Sequence, residues 1–162
     1  MLKRLLTSCF GLGLMPFAPG TCGSLPVVVV FLALSLSGVS TLAISVVMVL
    51  IAVGASLACI SFAPEVIERT GKKDPSEVVA DEVAGQAVTY IAAMSFAGIA
   101  GVVTAVVGFA AFRLFDIMKP APCRRLEKLP KGLGILADDI MAGVYAAIIL
   151  QICIRTWIAG LN

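Results

Sequence analysis

The sequence predicts an all-α fold: a compact multi-helix integral membrane protein with four to five apolar helical segments, one of them re-entrant or tilted and buried. Three observations carry this. Apolar residues make up 60 % of the chain and charged residues 14 %, against roughly 25 % charged in soluble domains. Not one charged side chain occurs from Leu5 to Pro64. The later uncharged runs are separated by short polar stretches rich in helix breakers. A soluble surface cannot be built from so little charge, so part of it must face lipid. A length of 162 residues suits one domain, 1–162.

Taken in order, Lys3 and Arg4 precede an apolar run that continues without a small-residue cleavage site, which reads as a membrane-proximal start and not as a signal peptide. Residues 25–39 are apolar and open with Pro26, but fall short of the roughly 20 residues that a span needs. Residues 41–63 are uncharged and predict a spanning helix that extends to about Arg69, with Gly71 as its cap. Residues 83–112 are again uncharged. As one helix they would measure about 45 Å, more than the hydrocarbon core, so they predict a hairpin breaking near Gly98–Gly101. Residues 135–158 predict the last helix. Lys and Arg residues cluster at the N-terminus, in 64–82 and in 113–131, and only Arg155 lies beyond. Two intervening hairpins would put the clusters on one face, cytoplasmic by the positive-inside rule, with Arg155 opposite.

The chain has no histidine. That excludes a Ser-His-Asp triad, imidazole-held zinc and phosphohistidine chemistry. The five cysteines are scattered without a Cys-x-x-Cys pair, and none is followed six residues on by arginine. No disulfide framework, zinc site or cysteine-phosphatase loop is indicated. A net charge of +2 without basic-aromatic clusters gives no reason to expect nucleic acid. Chemistry is left to carboxylates, Lys, Arg, hydroxyls or a hard cation.

Three acidic clusters stand at the edges of apolar segments: Asp81-Glu82, Asp116 and Asp138-Asp139. Acids there either cap helices or hold a cation, and Mg²⁺ takes few oxygen ligands. Gly85 and Gly143 each follow an acid by four residues, on the same helix face, where a small residue admits another backbone or a ligand. Pro16–Ser24 reads as a stiff loop with free amides, suited to phosphate, or as a plain turn capped by Ser24. Arg113, Asp116 and Lys119 recur every three residues; they suit either a metal-and-phosphate site or a juxtamembrane ion-pair cluster.

These segments together resemble the phosphatidylglycerophosphatase A family. The matching pieces are Gly13–Leu25 with its core PGTCGSL, ADEVAG at 80–85, FRLFDIMKPAP at 112–122 and GLGILADDIMAG at 132–143. The resemblance implies a bacterial inner-membrane hydrolase of phosphatidylglycerol biosynthesis. Such an enzyme removes the terminal phosphate of phosphatidylglycerophosphate with Mg²⁺ and a metal-activated water, its site facing the cytoplasm. It marks Asp81, Glu82, Asp116, Asp138 and Asp139 as metal carboxylates, and Asp81, Asp116, Asp139 and Lys119 as catalytic. It puts Gly20, Thr21, Gly23, Ser24 and Arg113 on the substrate phosphate. The implied partners are this substrate and membrane lipids. The alternative is a small ion-coupled transporter using buried carboxylates, which would need its acids near mid-membrane.

Overall fold

The computed structural model describes residues 7–9, 11–15, 18–72, 74–130 and 132–161. Lys3, Arg4, Pro16, Phe17, Lys73 and Lys131 lie outside them. Every element among the described residues is helical: α1 (Pro19–Leu36), α2 (Thr41–Thr70), α3 (Ala80–Thr89), α4 (Gly98–Met118), the short α5 (Cys123–Leu126) and α6 (Gly132–Thr156), with single 3₁₀ turns at Leu12–Leu14 and Ile158–Leu161. Four helices, α1, α2, α4 and α6, are long and apolar enough to cross a membrane.

Local sequence sets most of the ends. The Ser40 hydroxyl accepts from the Ala43 amide to start α2. Gly71 ends it in the left-handed conformation at φ 66°, as expected, its N–H donating to Ile67. Residues 25–39 do not stand alone. Pro19 occupies the first turn of an 18-residue helix, so α1 starts six residues before Leu25 and is long enough to span.

The thirty-residue uncharged run does fold back, slightly ahead of the expected Gly98. α3 stops at Thr89 and residues 90–97 form the corner. This non-helical backbone finds its partners in side chains of three helices. Ser35 Oγ donates to the Phe96 carbonyl (2.8 Å) and accepts from its amide (3.0 Å). Ser45 and Thr41 accept from the Ala92 and Ser95 amides. Gln151 donates to the Ala92 carbonyl at 2.6 Å. Irregular backbone inside a bilayer persists only where it is satisfied in this way.

Tyr90 anchors the corner. It stacks on Phe31 at 4.2 Å and 8°, and donates its hydroxyl to the Ala105 carbonyl. Gly108 leaves the space that the Tyr90 ring fills.

The chain direction follows. Glu82 meets Gly20 at the start of α1, and Phe96 meets Ser35 at its end. Thus the N-terminal ends of α1, α3 and α6 and the C-terminal ends of α2 and α4 gather at one end of the bundle. Residues 119–130, with Lys119, Arg124, Arg125 and Lys128 against Glu127, lie there too, and Arg155 lies at the other end.

Candidate active site

Two glycines build the site. A Cβ on Gly85 would strike the Asp139 carbonyl and the Phe112 ring, and one on Gly143 would strike the backbone of Gly85. The glycines that follow each acid by four residues therefore let α3 and α6 touch backbone to backbone. The crossing sets the first turn of α3 against the second turn of α6. Asp81, Glu82 and Asp139 thereby offer one oxygen each, all within 4.8 Å of one another.

Asp81 and Asp139 are buried (4 % and 5 % exposed) and Glu82 is half-buried. Asp81 Oδ1 and Glu82 Oε2 are buried without a hydrogen-bond partner. Burial pushes the Asp81 carboxyl up to about 7, and burial with the neighbouring Asp81 holds Glu82 well above the ordinary carboxylate range. Helix capping accounts for only part of this set. Asp81 is not the N-cap of α3, which is Val79, but it stands in the first turn and accepts from the amides of residues 81 and 82 there, whereas Asp138 lies six residues inside α6 and caps nothing.

The other two acids flank this trio and each faces a cation. Arg113 Nη1 lies 2.7 Å from Asp116 Oδ2. Lys119 donates to Asp138 Oδ2 at 2.6 Å and lies 3.8 Å from Glu127. Burial opposes the Lys119 charge, but the bond to Asp138 outweighs it and holds the ammonium above its ordinary pKa. The regular spacing of Arg113, Asp116 and Lys119 thus resolves into one pair within α4 and one pair across to α6.

The proline-glycine motif is a correction. Residues 19–24 are the first turns of α1, not a loop ahead of a helix, because Pro19 is preorganised for the first turn and the small side chains allow close packing. Ser24 caps nothing; it is buried and its hydroxyl donates to the Gly20 carbonyl at 3.0 Å. Gly23 packs on Val79. Of this group Gly20 reaches the carboxylates: a Cβ there would collide with Glu82 Oε1 and lie 3.2 Å from Arg113 Nη1. The positive end of α1 is therefore set against Glu82. Thr21 is half-buried in the same turn.

Sequence reasoning missed Gln86. It lies one turn after Glu82, is fully buried, and neither amide atom has a hydrogen-bond partner. Its only signal in the sequence is being the one amide within an uncharged run. A buried amide left open at both atoms costs stability and is kept where a ligand or ordered water completes it. Gln86→Leu should therefore leave thermal stability equal or higher while lowering turnover about tenfold, the scale of losing a group that supports a site. Reduced stability with normal turnover would make Gln86 a packing residue.

Residues 5–154 match the family model described as phosphatidylglycerophosphatase A. The chain is 34 % identical over 157 residues to phosphatidylglycerophosphatase A of Haemophilus influenzae, covering 95 % of this chain and 89 % of that one. It is 33 % identical over 161 residues to the Escherichia coli protein of the same name, covering 98 % and 87 %. It is also 34 % identical over 161 residues to a Bacteroides thetaiotaomicron protein provisionally named phosphatidylinositol-3-phosphatase, covering 98 % and 96 %. No solved structure matches.

Proposed function

Because this chain belongs to the phosphatidylglycerophosphatase A family of membrane phosphatases, we propose that it hydrolyses the terminal phosphomonoester of phosphatidylglycerophosphate. The products are phosphatidylglycerol and inorganic phosphate, and Mg²⁺ is the cofactor. The observation that carries this reading is the meeting of Asp81, Glu82 and Asp139 at the basic end of the bundle.

Three carboxylates so close would repel both one another and a phosphate dianion. A hard cation among them removes both objections, and the two unpartnered buried oxygens of Asp81 and Glu82 fit one. Mg²⁺ held there supplies Lewis-acid charge to the phosphoryl oxygens and lowers the pKa of water. Asp116 and Asp138 act through Arg113 and Lys119, holding both cations where they meet the phosphate's remaining charge. Arg113 Nε, buried without an acceptor, is a donor in reserve. The amides of Gly20 and Thr21 belong to the first turn of α1, which provides no acceptor for them, and can bind a phosphoryl oxygen. One carboxylate of the trio takes the proton of the attacking water as its oxygen bonds to phosphorus. The bond from phosphorus to the glycerol oxygen breaks, and that oxygen leaves protonated from solvent. The acyl chains stay in the bilayer.

The Lys and Arg residues that follow α4 support a cytoplasmic position for this end at the bacterial inner membrane, by the positive-inside rule. The carrier reading is disfavoured by placement, since the acids sit within about the first two turns of α3 and α6 and the last turn of α4, toward one end of the bundle.

The test is phosphate release by purified protein in detergent micelles, with Mg²⁺ and then EDTA. Phosphatidylglycerophosphate and phosphatidylinositol 3-phosphate are offered in parallel, because the Bacteroides relative bears the second name. Mg²⁺-dependent release from the first, lost in Asp81→Asn, is expected. Release from the inositol lipid alone would move the substrate assignment. No release from either by folded protein would remove the phosphatase reading.

A further inference from the structure

A groove of about 640 Å³ runs along α6, between it and the end of α3 with the corner that follows, lined by Val88, Ile91, Val144, Ala147, Ile148, Gln151 and Arg155 among others. We propose that it binds one acyl chain of an anionic phospholipid from the opposite leaflet, with the head-group phosphate on Arg155.

Dimensions select the occupant. From Val144 to Arg155 the groove follows α6 for about 16 Å, roughly half of a 30 Å hydrocarbon core and so one leaflet deep. The hollow is open along its length to the surrounding bilayer, so an extended hydrocarbon chain can lie in it. The lining is almost wholly apolar until the mouth. Gln151 is already committed to the Ala92 carbonyl, so it holds the wall in place and offers little to a ligand.

Charge selects the head group. Arg155 is exposed at the mouth, makes no ion pair among the described residues, and is the one basic residue among them at its end of the bundle. Trp157, two residues on and 59 % exposed, sits where an indole prefers the head-group boundary. An apolar slot one leaflet deep that ends at an unpaired guanidinium is complementary to a lipid with negative charge at its head.

Trp157 is the only tryptophan in the chain, so the protein carries its own reporter. Full-length protein is reconstituted into phosphatidylcholine vesicles containing equal mole fractions of either chain-brominated phosphatidylserine or chain-brominated phosphatidylcholine. Quenching of Trp157 should show about a fivefold local preference for the anionic lipid, the scale of one basic residue at an anionic surface. The preference should disappear in Arg155→Gln and in the groove-filling Ala147→Phe, with helix content unchanged by circular dichroism. Equal quenching by the two lipids in the unaltered protein would overturn the site. A preference that survives Ala147→Phe would reduce it to general surface attraction. Trp157 shielded from both brominated lipids, with chemical cross-linking to a second copy, would assign the groove to self-association.

Discussion

Replacing Asp139 by asparagine should lower kcat for lipid phosphate hydrolysis on the order of 100- to 1,000-fold, the scale of removing one charged group from a preorganised buried site. The shape is kept and only the charge goes. Elution and thermal stability should be unchanged or improved, because one member of a crowded set of like charges is gone. Asp138→Asn is the informative partner. Its carboxylate faces Lys119 at 2.6 Å, so its loss should act through a misplaced ammonium and cost about 10- to 100-fold, as for a group that orients the site. Steady-state phosphate release for the two variants, run side by side, checks this. Normal activity in Asp139→Asn would dissolve the trio as a site. Equal losses in both would return Asp138 to the metal set that the sequence resemblance implies.

Gly143→Leu should abolish the fold of the site outright. The space that a side chain would enter is occupied by the backbone of Gly85, which cannot rotate away as a side chain could. Overpacking of this kind costs about 3 kcal/mol, which for a chain of this size lowers Tm by about 6–12 °C. Gly54 is the control: a Cβ there meets nothing within 4 Å, so Gly54→Leu should leave Tm in detergent within a degree or two. A Gly143→Leu protein as stable as the control would mean that α3 and α6 do not cross where the glycines meet.

Much of this was readable beforehand, and the reasons differ by element. α2 announced itself through a long uncharged run and a terminal Gly71. The hairpin followed from length alone, since thirty residues exceed one span. The three carboxylates that converge were all named, because acids beside lipid are costly and few. The division of the five acids was not readable. Whether Lys119 serves Asp116, three residues away, or Asp138, on another helix, depends on how α4 and α6 pack. The start of α1 was misread because Gly, Thr and Ser are turn formers in water, whereas between apolar helices their small size lets backbones approach. Gln86 was passed over because one amide in thirty residues has no periodicity to reveal it.

The corner at residues 90–97 has a consequence for how the molecule is made. Its backbone is completed by Ser35, Thr41, Ser45 and Gln151, that is, by helices on both sides of it in the chain. As the nascent chain enters the membrane, α1 and α2 touch each other little and pack more on α3, while α3 and its corner are not fully enclosed until α6 has been synthesised and has closed over them. Asp81 and Glu82 ride on α3, so they meet Asp139 only at that last step. The trio of carboxylates therefore cannot assemble in a chain that stops short of α6.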